Sequence, residues 1–502
     1  MHRIKHHLIF QMALVAVLII YFMVMTGVAF NHDTAWYFVA TQKWLNGEKL
    51  YVDIIEVNPP WSFYCTVPGV LLARVLGTSV ANGFALSIVL LTWISFTVVQ
   101  KIMFGIERQN TIHNMLVVFG VLAIVISLTM SQFGQREHIF ILCVLPYLFM
   151  VYAEQRQCVY SRTGRVFLAI LASIGILLKP YFVLLPLIIG LSSALSSRDI
   201  KMLFKIEYMV MVSACVLYVA FIYIAHSEYF TFLLPYAVDT YGDYGFSDTR
   251  VRGLLPLKLI LFMVVTTFIL VEFSSTLKAA GYFGVAAIGG VLIYYMQSKG
   301  FTYQAFPFYV FGWIFLLIIF IDGFKSDRIW HLFVGILGIY LFIEYTPKPN
   351  IYRESYDSGR LSKELEQFDD DKMAILTLTS TVSATFPYMS APNRVWASRF
   401  PTQWFLPGAL NSLHMLDCTD KDNFDECKRY NEILDYVRNS NVEDIEKYSP
   451  DVIAVDVKNK KSYIKGEFNF LEFMQKHAEF DALWEGYELY SEDNRWEIWK
   501  KI

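Results

Sequence analysis

The sequence predicts a polytopic α-helical membrane protein with a C-terminal α/β domain, on three observations. Of the 502 residues, 55% are hydrophobic, 17% aromatic and only 17% charged, against roughly 25% charged in soluble domains. Apolar runs of membrane-crossing length recur as far as Tyr345. Charge is segregated: residues 1–350 hold 23 Lys/Arg and 17 Asp/Glu, while the 152 residues from Ile351 onward hold 19 and 28. The charge-rich part is expected to fold in water, giving a transmembrane module over 1–346 and a soluble α/β domain over 347–502. A net charge of -3 leaves no basic excess to neutralise a nucleic-acid backbone, so the partner is the lipid bilayer and not a nucleic acid.

Taken in order, residues 8–30 follow a basic stretch and form the first span. They exceed the ~7–15 residues of a signal-peptide core, and no small-residue cleavage site follows, so the helix is expected to be retained. Residues 31–80 form an external loop too polar to cross. Further spans are expected near 82–104, 113–131, 138–153, 165–179, 181–197, 206–226, 256–273, 280–297, 305–323 and 329–345, about eleven in all. The two flanking Lys179-Pro180 are short, and Pro180 removes a backbone donor, which predicts a broken pair. Arg3, Lys5, Arg108, Arg156, Arg162, Arg165, Arg198, Lys201, Lys205, Lys278, Lys325 and Arg328 fall on one side, which the positive-inside rule makes cytoplasmic. An odd number of spans places the first loop and the C-terminal domain on the other side. In that domain 374–379, 452–457 and 488–499 have strand composition, the last broken by Glu492-Asp493-Asn494, and 431–448 reads as helix. Ser380 to Arg399 reads as a loop. Cys418 and Cys427 bracket a short acidic segment; they pair in an oxidising compartment, or else remain two thiols.

The first loop is the most informative stretch. Ala35, Phe38, Val39, Trp44 and Leu45 fit an amphipathic helix on the membrane surface, stopped by Gly47, with Asp33 at its start. Asp is a favoured N-cap, which accounts for the carboxylate without any chemistry. The functional reading is a general base held in a partly desolvated groove. Asp33, Asp53 and Glu56 also offer hard oxygen ligands to a divalent ion, the one cofactor the loop suggests. No zinc, P-loop or serine-hydrolase motif occurs.

The order of one span, Asp33, Tyr37, Ala40, Gly47, Tyr51 and Asn58-Pro59-Pro60 resembles the first loop of the GT-C glycosyltransferases. That group includes protein O-mannosyltransferases and lipid A aminoarabinose transferases. About eleven spans, the Lys179-Pro180 turn after the fifth and a C-terminal extracytoplasmic α/β domain resemble the same architecture. The resemblance implies that 1–346 is the catalytic module, that Asp33 is the base, and that Tyr37, Glu56 and Asn58 contact substrate. The chain departs from the mannosyltransferase pattern of two adjacent acids, since His32 precedes Asp33, and it has Asn58 where the aminoarabinose transferases have Lys.

Other polar groups cluster outside. Gln132 to His138 joins two spans with five polar side chains. Arg136 there either snorkels to headgroups, paired with Glu137, or grips a phosphate with Glu137 orienting it; His138 assists protonation or caps a helix. Between His226 and Leu255, Tyr229, Tyr236, Tyr241 and Tyr244 suit sugar stacking, yet an interfacial aromatic belt explains most of them. Arg250, Arg252, Lys179 and Lys299, with Tyr303 nearby in sequence, are placed to hold a departing phosphate.

These readings combine into an inverting glycosyltransferase that moves a sugar from a polyprenyl-phosphate donor to an extracytoplasmic acceptor, in a bacterial inner membrane. Nucleotide sugars are cytoplasmic, so an outward-facing site needs a lipid-linked donor. A transporter or flippase is the alternative; it calls for interrupted helices in matching halves, and one Lys-Pro break has no counterpart.

Overall fold

The computed structural model describes residues 2–106, 111–274, 277–323, 329–353, 356–366, 368 and 372–502. Of the basic residues used for orientation, Arg108, Lys325 and Arg328 lie outside the described residues. The chain forms two compact units. Unit 1 comprises Met1–Val28, Ala85–Ala220 and Phe246–Tyr352; unit 2 comprises Ala29–Phe84, Phe221–Gly245 and Arg353–Ile502. The expected boundary at 346/347 lies close to the divide at Tyr352, but the first loop groups with the C-terminal domain and not with the spans.

Nine helices among the described residues are long and apolar enough to cross a membrane: His7–Thr26, Val80–Ile106, Ile112–Gln132, Arg136–Glu154, Pro180–Ser197, Ile206–Ala225, Asp248–Glu272, Lys278–Gln297 and Thr302–Asp322. The other two expected spans are helical but shorter. Arg162–Ile176 has 15 residues and Ile329–Tyr345 has 17, about 23 and about 26 Å at 1.5 Å per residue, against a ~30 Å hydrocarbon core. The break at Lys179-Pro180 is present. Lys179 is extended, and Pro180–Val183 makes one 3-10 turn before Leu184–Ser197, because a residue preceding proline is driven out of the helical region.

Within unit 1 the Arg136–Glu154 helix is buried along nearly its whole length. Phe140 stacks on Phe182 at 4.1 Å, and Phe149 meets Phe283 edge-on at 5.0 Å. The Lys278–Gln297 helix approaches Phe306–Gly323 closely because any side chain at Gly290 would strike the Phe308 backbone. By contrast His7–Thr26 and Ile206–Ala225 leave most of their apolar surface uncovered. Such surface is stable only where lipid, not water, is the solvent. Arg165 and Lys205 share Glu154, Arg165 also reaches Glu207, and Arg156 pairs with Asp322, which gathers basic loop residues as the charge pattern requires.

Unit 2 begins with the His32–Leu45 helix, capped by the Asn31 side chain, which accepts a bond from the Asp33 amide at 2.9 Å. Eight consecutive residues, Thr34 to Thr41, are buried. The helix is therefore enclosed by protein on all sides, not amphipathic at a membrane surface; the alternation that suggested a surface helix is overridden by packing. A second helix, Trp61–Leu76, was not legible in the loop because its apolar run is broken by Pro68. It ends at Gly77, whose φ of 63° is open to glycine at no steric cost. Lys43 donates to the carbonyls of Trp396 and Ser398 and to the Tyr448 hydroxyl, at 3.2, 3.0 and 3.1 Å. Ile55 N–H donates to the Arg399 carbonyl.

The sheet of unit 2 has strands β1 (Met373–Leu378), β2 (Arg394–Trp396), β3 (Val452–Asp456), β4 (Tyr487–Glu492) and β5 (Trp496–Lys501), in the order β2-β1-β3-β5-β4. β2, β1 and β3 are parallel; β5 and β4 are antiparallel to their neighbours. Parallel neighbours need a crossover, and Phe424–Tyr448 supplies it between β1 and β3. β3 is wholly buried, as a strand covered on both faces is. β2 lies inside the segment expected to be a loop, being three residues long. Cys418 and Cys427 are joined by a disulfide.

The tyrosines of 226–244 do not form a lipid belt. Tyr229 packs on Tyr51, Tyr236 on Phe405, Tyr241 on Trp404 and Tyr244 on Tyr463, so they join unit 2 together. The Leu234–Thr240 helix sits directly on Gly408. Gly408→Val forces these backbones apart and is expected to destabilise unit 2 by about 1–3 kcal/mol; a fall in the melting temperature of purified protein, with earlier proteolytic cutting between 226 and 245, checks it.

Candidate functional site

Asp33 occupies the first turn of a helix whose N-cap is another residue. Asn31 performs the capping, so Asp33 is not the cap; as an acid in the first turn it still complements the helix dipole. Its side chain keeps 21% of its exposure and lies 3.4 Å from the imidazole of His32. It also stands near an aromatic cluster. Tyr244 is held far above the ordinary phenol range, first by burial and then by the charges of Tyr463, Tyr241 and Asp33. Tyr244 donates to the Ser380 carbonyl at 3.4 Å and lies 4.2 Å from the Tyr463 ring. Tyr463 itself has φ 69°, a left-handed conformation costly for a bulky residue. Tyr463 was not flagged by the sequence, whose only signal was an aromatic among lysines.

The other first-loop candidates are committed to the fold. Tyr37 is buried against Phe63 at 5.2 Å. Glu56, 6% exposed, accepts from the Trp36 indole at 2.8 Å and from the Asn58 amide N–H at 3.1 Å, while Tyr51 donates to the Asn58 carbonyl. This latch holds the loop to the helix that carries Asp33. Asp53 faces Lys447 at 2.8 Å. Among the described residues no group of three His, Cys, Asp or Glu could hold a metal ion. The divalent site suggested for Asp33, Asp53 and Glu56 is therefore not assembled, because two of the three are turned to other partners.

Unit 1 gathers most of the remaining candidates. Arg136, Glu137 and His138 are all buried in the first turn of their helix. Glu137 pairs with Lys179: Nζ to Oε1 is 2.6 Å. Lys179 also donates to Gln297 Oε1 at 2.9 Å and lies 5.2 Å over the Tyr303 ring. His138 Nδ1 accepts the Gly134 amide at 3.1 Å, which ties the turn before the helix to its first turn.

From Tyr303 the contacts run outward. Tyr303 stacks on Phe301, Phe301 meets Phe246, and Arg250 lies 3.7 Å over Phe246 while donating to the Gly300 carbonyl at 3.3 Å. The Lys299 carbonyl accepts from Phe246 N–H at 2.9 Å. Arg250 and Arg252 are exposed and Lys299 is half-buried. The short Asp248–Leu254 helix thus presents the Arg250 guanidinium beside the 299–303 turn, where it is able to hold an anion. Gln297 was missed by the sequence reading; a lone amide in an apolar run gives no signal until Lys179 is brought to it.

Superposed on the crystal structure of ArnT from Cupriavidus metallidurans bound to undecaprenyl phosphate, the chain gives a TM-score of 0.50 at 12% identity, with 98% of each chain covered. At this identity the likeness is one of fold. The protein thus has the GT-C type fold: a polytopic helical membrane part and a small C-terminal sheet. No protein-family model matches the chain, and no curated protein matches it either.

The Glu137–Lys179 pair yields a test. Lys179→Met leaves a buried carboxylate without its cation and is expected to cost about 3–5 kcal/mol, whereas adding Glu137→Met recovers much of that loss. Thermal unfolding of the three variants in detergent measures both steps.

Proposed function

We propose that the protein is an integral-membrane, inverting glycosyltransferase that moves a sugar from a polyprenyl-phosphate donor to an extracytoplasmic acceptor. The observation that carries this reading is Asp33: a largely covered carboxylate that keeps 21% of its exposure, not used as a cap, one short step beyond the first membrane helix. The shared fold with a transferase crystallised with undecaprenyl phosphate supports a lipid-linked donor. The segregation of basic loop residues supports an orientation with unit 2 outside the cytoplasm of a bacterial inner membrane.

In this mechanism the acceptor hydroxyl attacks the anomeric carbon as the bond from that carbon to the phosphate oxygen breaks, inverting the centre. Asp33 takes the hydroxyl proton. His32, 3.4 Å away, orients the carboxylate. The electron pair of the broken bond leaves on the phosphate, and Arg250, Arg252 and Lys299 stabilise that charge. Lys179 and Glu137 act one step removed, by fixing Tyr303 and the turn that bears Lys299. Arg136, buried beside them in sequence, adds positive potential to the same unit.

Asp33→Asn keeps size and shape but removes the base, so transfer from a panel of polyprenyl-phosphate sugars is expected to fall by about 10²- to 10⁴-fold with an unchanged melting temperature. Retention of full transfer by this variant removes Asp33 as base; absence of transfer by the parent across the panel removes the reading itself. Arg250→Ala is expected to lower kcat by about 10²-fold, an effect read in the chemical step by single-turnover measurement.

A further inference from the structure

Unit 2 contains a cleft of about 720 Å³ that no step of the proposed transfer uses. It is bounded by the C-terminal half of the His32–Leu45 helix, by the Gly77-Thr78-Ser79 turn and by the segment from Met389 to β2. Lys43 and Asp33 lie ten residues apart on one helix, about 15 Å along its axis. The volume falls in the range of small-molecule sites, roughly 300–1,000 Å³.

The lining decides the ligand class. Uncharged hydrogen-bonding groups dominate its polar part: Gln42, Asn46, Thr78, Ser79 and Ser390. Interleaved with them are aliphatic patches from Val39, Pro392 and Val395. An acyl chain is ill suited to so many amides and hydroxyls, which would lose water without gaining partners. A compact anion is disfavoured as well, because Glu48 lines the cleft and neutralises Lys43 at 3.2 Å. A peptide strand cannot extend the sheet along β2, since Lys43 already occupies the carbonyls of Trp396 and Ser398. What remains is a molecule with hydroxyls around its rim and C–H faces between them.

We propose that this cleft is a saccharide-binding site, sized for a short oligosaccharide and separate from Asp33. The proposal goes beyond the transfer reaction and does not depend on it. Gln42 Nε2 donates to the Phe38 carbonyl and Asn46 Oδ1 accepts from Arg74, each at 3.1 Å; the Gln42 Oε1 and the remaining amide protons of both are what they offer a ligand.

The full chain in phosphatidylcholine nanodiscs, free of sugar detergents, is titrated with maltotriose, chitotriose, mannotriose and inorganic phosphate by calorimetry. At least one trisaccharide is expected to saturate with a Kd at or below about 1 mM. Ala391→Trp, at an exposed position on the cleft wall, is expected to weaken it at least tenfold, and Gln42→Ala to weaken it without filling the cleft. Asp33→Asn is expected to leave binding unchanged, which separates this site from the transferase reading, itself judged by transfer activity alone. No saturation by any of the three sugars, equal binding by Ala391→Trp and the parent, loss of binding in Asp33→Asn, or binding of phosphate alone each overturns the proposal.

Discussion

The burial of one ammonium group organises unit 2. Lys43 sits near the end of a helix otherwise sealed in protein, and its charge is satisfied by two carbonyls, a phenol and Glu48. Burial lowers its proton affinity and Glu48 offsets part of that loss, so the site stays viable as long as every partner is in place. Because the carbonyls belong to β2 and the residues after it, the first-loop helix cannot move without leaving a charge uncompensated. Asp33 inherits its position from that constraint, at the opposite end of the same rigid helix.

Unit 1 follows the same logic with different partners. Glu137 and Lys179 are buried among apolar helices, where neither is tolerable alone. Their pairing fixes Lys179 beneath Tyr303, and the aromatic contacts carry the alignment on to Phe246 and Arg250. The exposed guanidinium groups are therefore mounted on a stack whose inner end is an ion pair. Rigid support of this kind is what a phosphate-holding group needs, since misplacement by an ångström weakens a charge-assisted bond sharply.

Much of the fold was legible because solvent dictates it. Apolar length gave the spans, proline gave the break at Lys179, and charge density gave the sheet domain. The misreadings share one cause. Tyr229, Tyr236, Tyr241 and Tyr244 resemble interfacial aromatics in sequence, and only their contacts with Tyr51, Phe405, Trp404 and Tyr463 place them inside unit 2. The bond of Glu137 to Lys179, 42 positions away, has no signal in the order of the chain. Trp61–Leu76 was passed over because a proline within an apolar run reads as a stop when no packing is visible.

By itself the sequence determined where the chain meets lipid, that a water-folded sheet follows the spans, and that Asp33 begins the first loop's helix, since these depend on local composition and hydropathy. The tertiary structure alone decided that Asp53 and Glu56 are spent on Lys447 and Trp36, and that Lys179 supports a turn. Partners so far apart in the chain leave no local trace. A buried polar group is satisfied by whichever donor or acceptor folding delivers to it, and no local pattern records that choice.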